Sequence, residues 1–428
     1  MIDRAKLTFH DVVLRPDPSR TVVRPFEPGY SRRFGGGATR TQEVADMIGA
    51  LDEAELTRQL DGITASLDEN HRDVETMLMR RFDDMKPRLA DPDRFDQRQR
   101  ELIGAYFSQE YAYEAAALFN PSAVLHPDQS GLSDGAVRFV MSLRGIGEGH
   151  VSSVTFRTGT WTPGGEIVVD RPSPVSVPPI IGELGDDGAV VDLACGGSQD
   201  ISETVLFPIL PSQRQGIEDL RLVRFVEDDG AVMYHGTYTA FSGSEARSEL
   251  LSGTDFKSFE MRALTGDASG GKGMALFPRR LGGRYTMLGR QDGKNIWYHQ
   301  SDDILDWNGG AKLVAPRYPW EFVQMGNCGS PIELDEGWLV LTHGVGTVRN
   351  YCVGACLLDK DDPSKLLART PRPVLAPSPH ERDGYVPNVV YSCGALVQGR
   401  TMMLPYAVAD SFTAFATADI DDLLSVME

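Results

Sequence analysis

Tyr285-Thr286-Met287-Leu288, a turn, and a second strand-like run closing in Gln300-Ser301-Asp302-Asp303-Ile304 form the stretch that decides the fold, because the pattern recurs. Apolar runs at residues 138–143, 222–225, 338–342 and 401–406 are likewise preceded by a turn and followed by a second strand. The closings match as well: Ser252-Gly253-Thr254-Asp255-Phe256, Leu358-Asp359-Lys360-Asp361-Asp362 and Thr417-Ala418-Asp419-Ile420-Asp421. A strand pair ending in an Asp-rich turn, repeated at intervals of about 50 to 65 residues, predicts radially repeated blades. The expectation is an all-β, five-bladed β-propeller over residues 119–428. A two-sheet sandwich is the alternative, but it supplies no reason for the same ending to recur. In a propeller one end of the central channel collects residues from every blade, so chemistry scattered along the chain can converge there.

Upstream the texture differs. Residues 1–40 hold Pro16, Pro18, Pro25 and Pro28 and the triplet Gly35-Gly36-Gly37, which predicts an extended N-terminal arm wrapping a surface. From Thr41 the breakers disappear, and Leu56, Leu60, Ile63, Leu67, Val74, Met77, Leu78, Phe82 and Met85 recur at helical spacing. A further helix is expected after Asp91-Pro92-Asp93, carrying Leu102, Ile103, Tyr106, Phe107, Tyr111 and Ala115 to Ala117. Residues 41–118 are therefore read as an N-terminal helical extension. Its apolar stripe is too long to leave in water, so it should pack on the propeller or on a second subunit, giving a homo-oligomer. Its polar face is mixed in sign, unlike the basic face of a membrane-binding helix.

Composition narrows the partners. The chain of 428 residues carries 61 acidic and 42 basic side chains, a formal charge of −19, which opposes nucleic acid and anionic membrane surfaces. A small neutral or anionic ligand remains open, provided that a local basic cluster holds any phosphate. No apolar run approaches the roughly 20 residues of a membrane span, and the N-terminus lacks a secretion signal's apolar core, so a cytoplasmic location is expected. Five scattered cysteines, Cys195, Cys328, Cys352, Cys356 and Cys393, read as buried thiols in a reducing compartment. Cys352 and Cys356 have no second pair or histidine cluster to complete a zinc site, so no metal is expected.

The chemistry centres on Gly216-Ile217-Glu218-Asp219-Leu220-Arg221, at the head of the apolar run Leu222-Val223-Arg224-Phe225-Val226. In an extended strand the two adjacent carboxylates point to opposite faces, so one would enter a pocket while the other finds a partner such as Arg221. That asymmetry suits acid catalysis, with one carboxyl pushed toward its neutral form by burial. A surface strand opening on a local acid–base pair is the plainer reading of the same residues.

Further motifs accompany it in order: Phe119-Asn120-Pro121, Ser142-Leu143-Arg144, Lys272-Gly273-Met274-Ala275-Leu276-Phe277-Pro278, Ile296-Trp297 with Ser301-Asp302-Asp303, Gly337-Trp338-Leu339 with Thr342-His343-Gly344, Leu357-Leu358-Asp359 with Asp362-Pro363-Ser364, and Val386-Pro387-Asn388-Val389-Val390. Together they resemble glycoside hydrolase family 130, the inverting mannoside phosphorylases and β-mannosidases, over residues 119–428. The resemblance implies a five-bladed propeller, no cofactor, and inorganic phosphate as co-substrate beside an oligosaccharide. It implies that Asp219 is the general acid, its proton passing through a hydroxyl of the mannosyl ring while phosphate attacks the anomeric carbon from the other face. Positions similar to the family's phosphate clamp are Lys272, Arg290 and His343. Those that contact sugar would be Asn120, Arg144, Glu218, Arg221 and Asp410.

Two departures bear on mechanism. A further basic position of the family holds Gln324 here, for which Arg349 in Val348-Arg349-Asn350 is the nearest substitute. The family's proline between acid and arginine is Leu220. Phosphorolysis is the leading expectation. Hydrolysis of the same β-mannosides is the alternative, with Glu245, Glu249, Glu321 or Glu333 activating water, and a non-catalytic sugar-binding propeller is the third. The tryptophans are read as blade core, with Trp320 placed to reach an outer subsite.

Overall fold

Strands that return on themselves dominate the computed structural model, which describes residues 6–26, 40–184, 190–378 and 384–428. Pro28 and the Gly35-Gly36-Gly37 triplet of the expected arm lie outside the described residues. The chain divides into two compact units, one of residues 19–112 with 174–177 and one of the remainder.

The larger unit is built of successive antiparallel meanders. The first runs Ala117–Leu125, Val137–Ile146, Ser152–Trp161 and Ile167–Val169. The second runs Gly216–Val226, Val232–Phe241, Ala246–Gly253 and Ser258–Ala263, extended outward by Val190–Ala194 and Ile180–Leu184. A third comprises Ala275–Leu276, Tyr285–Gly289, Ile296–Ser301 and Ala311–Val314. A fourth comprises Gln324–Asn327, Trp338–Val345, Tyr351–Leu358 and Leu366–Arg369. The last takes Val390–Tyr391, Thr401–Val408 and Phe412–Asp419 from the C-terminus and its outer strand, Leu7–Leu14, from the N-terminus. The first segment is thus an integral strand of a sheet, and no free arm. That pairing covers the edge which Phe412–Asp419 would otherwise expose.

The Asp-rich closings work as their composition suggests. Asp255 accepts from the backbone N–H groups of Lys257 and Ser258, Asp359 from those of Asp361 and Asp362, and Asp419 from that of Asp422. Asp255 and Asp359 follow the third strand of their meanders, and Asp419 ends that of the last. One pairing differs from expectation: the run at 222–225 is a first strand, and Val232–Phe241 stands between it and the strand closing at Asp255. Trp161, Trp307 and Trp338 are fully buried between strands, whereas Trp297 and Trp320 are half-buried. All five cysteines are buried free thiols.

In the smaller unit the helices Arg40–Gly49, Glu53–Leu67, Val74–Met85 and Gln97–Tyr106 bury Leu56, Leu60, Phe82, Met85, Leu102 and Ile103 in one cluster. Asp52 accepts from the Glu55 N–H, and Asp96 with Gln99 completes a capping box, so short polar side chains set these starts. The last two helices meet at Gly104, where a Cβ would lie 2.0 Å from the Leu78 carbonyl oxygen. The fourth helix is shorter than expected. Ser108 turns its hydroxyl back to the Gly104 carbonyl, and Ser108–Ala112 pairs as a strand with Thr21–Pro25. Tyr111 therefore lies on a strand and Ala117 opens the first meander, because cross-strand pairing there outweighs helical spacing. Among the described residues no helix is long and apolar enough to cross a membrane.

Candidate active site

Asn120, Asp219, Arg349 and Asp410 share left-handed backbone, with φ of 51°, 56°, 52° and 51°. Side chains with a Cβ avoid this region, and where it persists the surrounding structure must enforce it. At Asp219 the enforcement is a β-bulge. Glu218 pairs with Thr239 and Arg221 with Thr237, so Asp219 and Leu220 together oppose Tyr238 alone. An identical slip occurs at Asn120 and Pro121, between the Phe119–Arg144 and Ser122–Ser142 pairs.

The bulge overturns the expectation that the two carboxylates face opposite ways. Strict alternation needs regular strand backbone, and the extra residue re-aims Asp219. Both carboxylates now converge on one guanidinium: Arg144 Nη2 donates to Glu218 Oε1 at 2.8 Å, and Nη1 lies 3.5 Å from Asp219 Oδ1. Asn120 Nδ2 donates to the same Asp219 oxygen at 2.6 Å. Lys272 Nζ reaches the other oxygen of Glu218 at 2.6 Å and lies over the Phe241 ring. Leu220 turns inward into the core, where Gly236 leaves room for it.

Arg221 is not the direct partner of either carboxylate. Its Nη2 donates to the Tyr391 hydroxyl at 2.8 Å and its Nη1 to the Met274 carbonyl at 3.3 Å. Tyr391 packs edge-on against His343, ring centroids 5.0 Å apart, and Arg290 Nη1 stands 3.1 Å from His343 Nε2. Gly326 makes this contact fit, since a Cβ there would lie 2.6 Å from His343 Cε1. Tyr351 lies nearly parallel to the same imidazole, ring centroids 6.3 Å apart. Gln324 Nε2 donates to the Tyr351 hydroxyl at 3.3 Å, and the Arg349 guanidinium lies 5.8 Å from that ring's centre. Arg349 and Gln324 thus meet at one tyrosine.

Charge follows from these neighbours. Burial would raise the Asp219 carboxyl, but Arg144 and Arg221, with the Asn120 hydrogen bond, hold it below the usual carboxylate range. Burial, reinforced by Arg290 and Arg221, keeps His343 well below the ordinary imidazole value, so it is neutral at pH 7. With Arg290 donating, Nε2 is the acceptor and the imidazole orients the guanidinium. The carboxyl pushed toward its neutral form is Asp410, not Asp219. Burial and then the negative charge of Asp219 raise it to about 6, against the pull of Arg144 and Arg349.

The residues that sequence marked as acid, phosphate clamp or sugar contacts are thereby tied to one constellation, directly or through Tyr391, Tyr351 or the field at Asp410. Tyr391 itself was missed, although it directly follows Val386-Pro387-Asn388-Val389-Val390; a polar ring ending an apolar run was the available signal. The glutamates considered as hydrolytic bases are occupied elsewhere. Glu249 binds Ser212, Gln213, Tyr238 and Arg247; Glu321 binds Arg369 and two backbone N–H groups; Glu333 takes a two-pronged bond from Arg279. Glu245 sits exposed in the hairpin turn that begins at Ser242.

A family model described as beta-1,4-mannooligosaccharide phosphorylase matches residues 199–428. A 1,2-beta-oligomannan phosphorylase of a Thermoanaerobacter species is 34% identical over 214 residues, 49% of this chain and 70% of that protein. A beta-1,2-mannobiose phosphorylase of Listeria innocua is 32% identical over 232 residues, 52% of this chain and 63% of that protein. The solved structure of the Listeria innocua beta-1,2-mannobiose phosphorylase with beta-1,2-mannobiose superposes with a TM-score of 0.53 at 21% identity. It covers 73% of this chain and 92% of that one, a likeness of fold.

Proposed function

Because the chain belongs to glycoside hydrolase family 130, we propose that it is an inverting β-mannoside phosphorylase releasing α-mannose 1-phosphate. Asp219 is the general acid. A phosphate oxygen attacks the anomeric carbon, the glycosidic C–O bond breaks, and the proton from Asp219, relayed through a mannosyl hydroxyl, ends on the oxygen of the departing sugar. Asn120, Arg144, Glu218 and Asp410 position the mannosyl ring. Lys272 and Arg290 supply charge to the phosphate, His343 holds Arg290 in place, and Arg349 makes up for the neutral Gln324. A bound phosphate dianion adds negative charge against the field of Arg144 and Arg221 that keeps Asp219 ionised, so phosphate binding itself raises the acid toward its proton-donating form.

The observation that carries this reading is the convergence of Glu218 and Asp219 on Arg144, with Lys272 on the far side of Glu218. A paired acid and a basic cluster serve phosphorolysis, whereas three of the four glutamates that hydrolysis would call on have structural partners. Five consecutive meanders, the last completed by the N-terminal strand, support a five-bladed propeller whose central opening holds the site. Buried free thiols and use of inorganic phosphate fit a cytoplasmic enzyme.

The test is product analysis on β-1,2- and β-1,4-mannobiose with and without inorganic phosphate. Mannose 1-phosphate should form only with phosphate, and Asp219→Asn should lower its rate by about 10²-fold or more. Free mannose released at a rate indifferent to phosphate would replace this reading with hydrolysis.

A further inference from the structure

Three turns at the same station of their meanders, between the second and third strands, carry left-handed residues. In the fourth meander the turn presents Val348 (φ 54°, ψ 36°) and Arg349, and in the last Ala409 and Asp410, with φ of 50° and 51°. The first meander has the same turn, where nothing above assigns a role. Gly147 (−114°, −158°) matches Gly346 (−111°, −149°), Gly149 (71°, 12°) matches Val348, and His150, at φ 57°, stands where Arg349 stands. Closing bonds agree too: the N–H of Gly147 faces the Val151 carbonyl as that of Gly346 faces Asn350. A costly backbone state repeated at one station delivers side chains to one place.

His150 has a companion there. Its ring lies 5.7 Å from that of Tyr385 at an interplanar angle of 33°, and Tyr385 is 71% exposed, so the pair presents its ring faces to solvent. Tyr385 is fixed beside Asp410. The Val386 N–H donates to the Ala409 carbonyl at 2.9 Å, and a Cβ on Gly384 would lie 2.5 Å from that of Ala409. The ring pair therefore borders the turn whose carboxylate shares its field with Asp219, Arg144 and Glu218.

We propose that His150 and Tyr385 form the platform that receives the sugar on the leaving side of the scissile bond, and so set which acceptor this enzyme takes. The inference rests on the phosphorolysis reading and deepens it. A pyranose packs its C–H face on an aromatic ring and offers hydroxyls at its edge, which a phenol and an imidazole can bond. The ligand class that such a ring pair suits is a hexopyranose with one C–H face free to pack and its hydroxyls at the edge.

Two measurements test it. In the synthetic direction, with mannose 1-phosphate as donor and mannose as acceptor, Tyr385→Ala and His150→Ala should each raise the acceptor KM about tenfold. The donor KM should stay within about twofold, and Tyr385→Phe should restore most of the acceptor affinity. Acceptor KM unchanged in both alanine variants, or donor and acceptor KM rising together, overturns the platform. Calorimetric titration of β-1,2- and β-1,4-mannobiose into Asp219→Asn, with and without Tyr385→Ala, separates this inference from the reaction. Should the wild type make no mannose 1-phosphate, the phosphorolysis reading falls, yet weakening of mannobiose binding by Tyr385→Ala still supports the platform. Binding of neither disaccharide, or binding indifferent to Tyr385→Ala, overturns it.

Discussion

Asp410 shows how one residue's surroundings become measurable. Its carboxyl ordinarily titrates near 3.8 and is raised to about 6 in the folded chain by burial and by Asp219. Between those values the folded protein keeps a proton that the unfolded chain has lost. Stability from this group is therefore fully present below pH 4 and falls as pH rises through 6. The full effect is roughly 3 kcal/mol. Asp410→Asn, which cannot ionise, should flatten that slope, so the variant gains on the wild type between pH 4.5 and 7.5 in urea unfolding. Parallel pH profiles for the two proteins would show that the carboxyl is not held in this way. Sequence resemblance marked Asp410 for sugar contact, but not its charge state. That depends on Asp219 and Arg144, which are far away along the chain.

At the scale of elements, one extra residue decides what a strand presents. The run at 216–226 has strand composition, and reading it as regular puts Glu218 and Asp219 on opposite faces; the bulge at Asp219 brings both to Arg144. Nothing local in the sequence announces that bulge, since Asp219 adopts its left-handed backbone only where Thr237, Tyr238 and Thr239 of the neighbouring strand fix the register. The helices behave oppositely. Their starts are set by neighbours in sequence, Asp52 and Asp96 capping within three residues, close to the start expected after Asp91-Pro92-Asp93 in the second case. Their crossing depends on one small residue, Gly104, and Gly104→Ala should force Val74–Met85 and Gln97–Tyr106 apart. A loss of about 1–3 kcal/mol is expected, read as a lower midpoint for the helical unfolding signal. An unchanged midpoint would mean that the crossing has slack.

For the whole molecule the consequential pairing joins the two ends of the chain. Leu7–Leu14 completes the sheet of Thr401–Val408 and Phe412–Asp419, although hundreds of residues separate them. Removing residues 1–14 should strip the cover from that edge, lowering the thermal midpoint by several degrees and promoting association through the bared strand. A truncated chain with an unaltered midpoint that stays monodisperse in light scattering would contradict this. The strand-rich class, the recurring unit with its Asp-closed turns and the helical segment are legible in the sequence, because periodicity and turn chemistry act over a few neighbouring residues, and the candidate site residues are legible through the resemblance of ordered motifs. It takes the folded chain to show that residues 7–14 belong to the last sheet, that Glu218 and Asp219 share Arg144, that Tyr391 links Arg221 to His343, and that Asp410 holds the raised carboxyl. Each of those depends on groups distant in sequence meeting in space, where register, burial and the summed field of several charges are set.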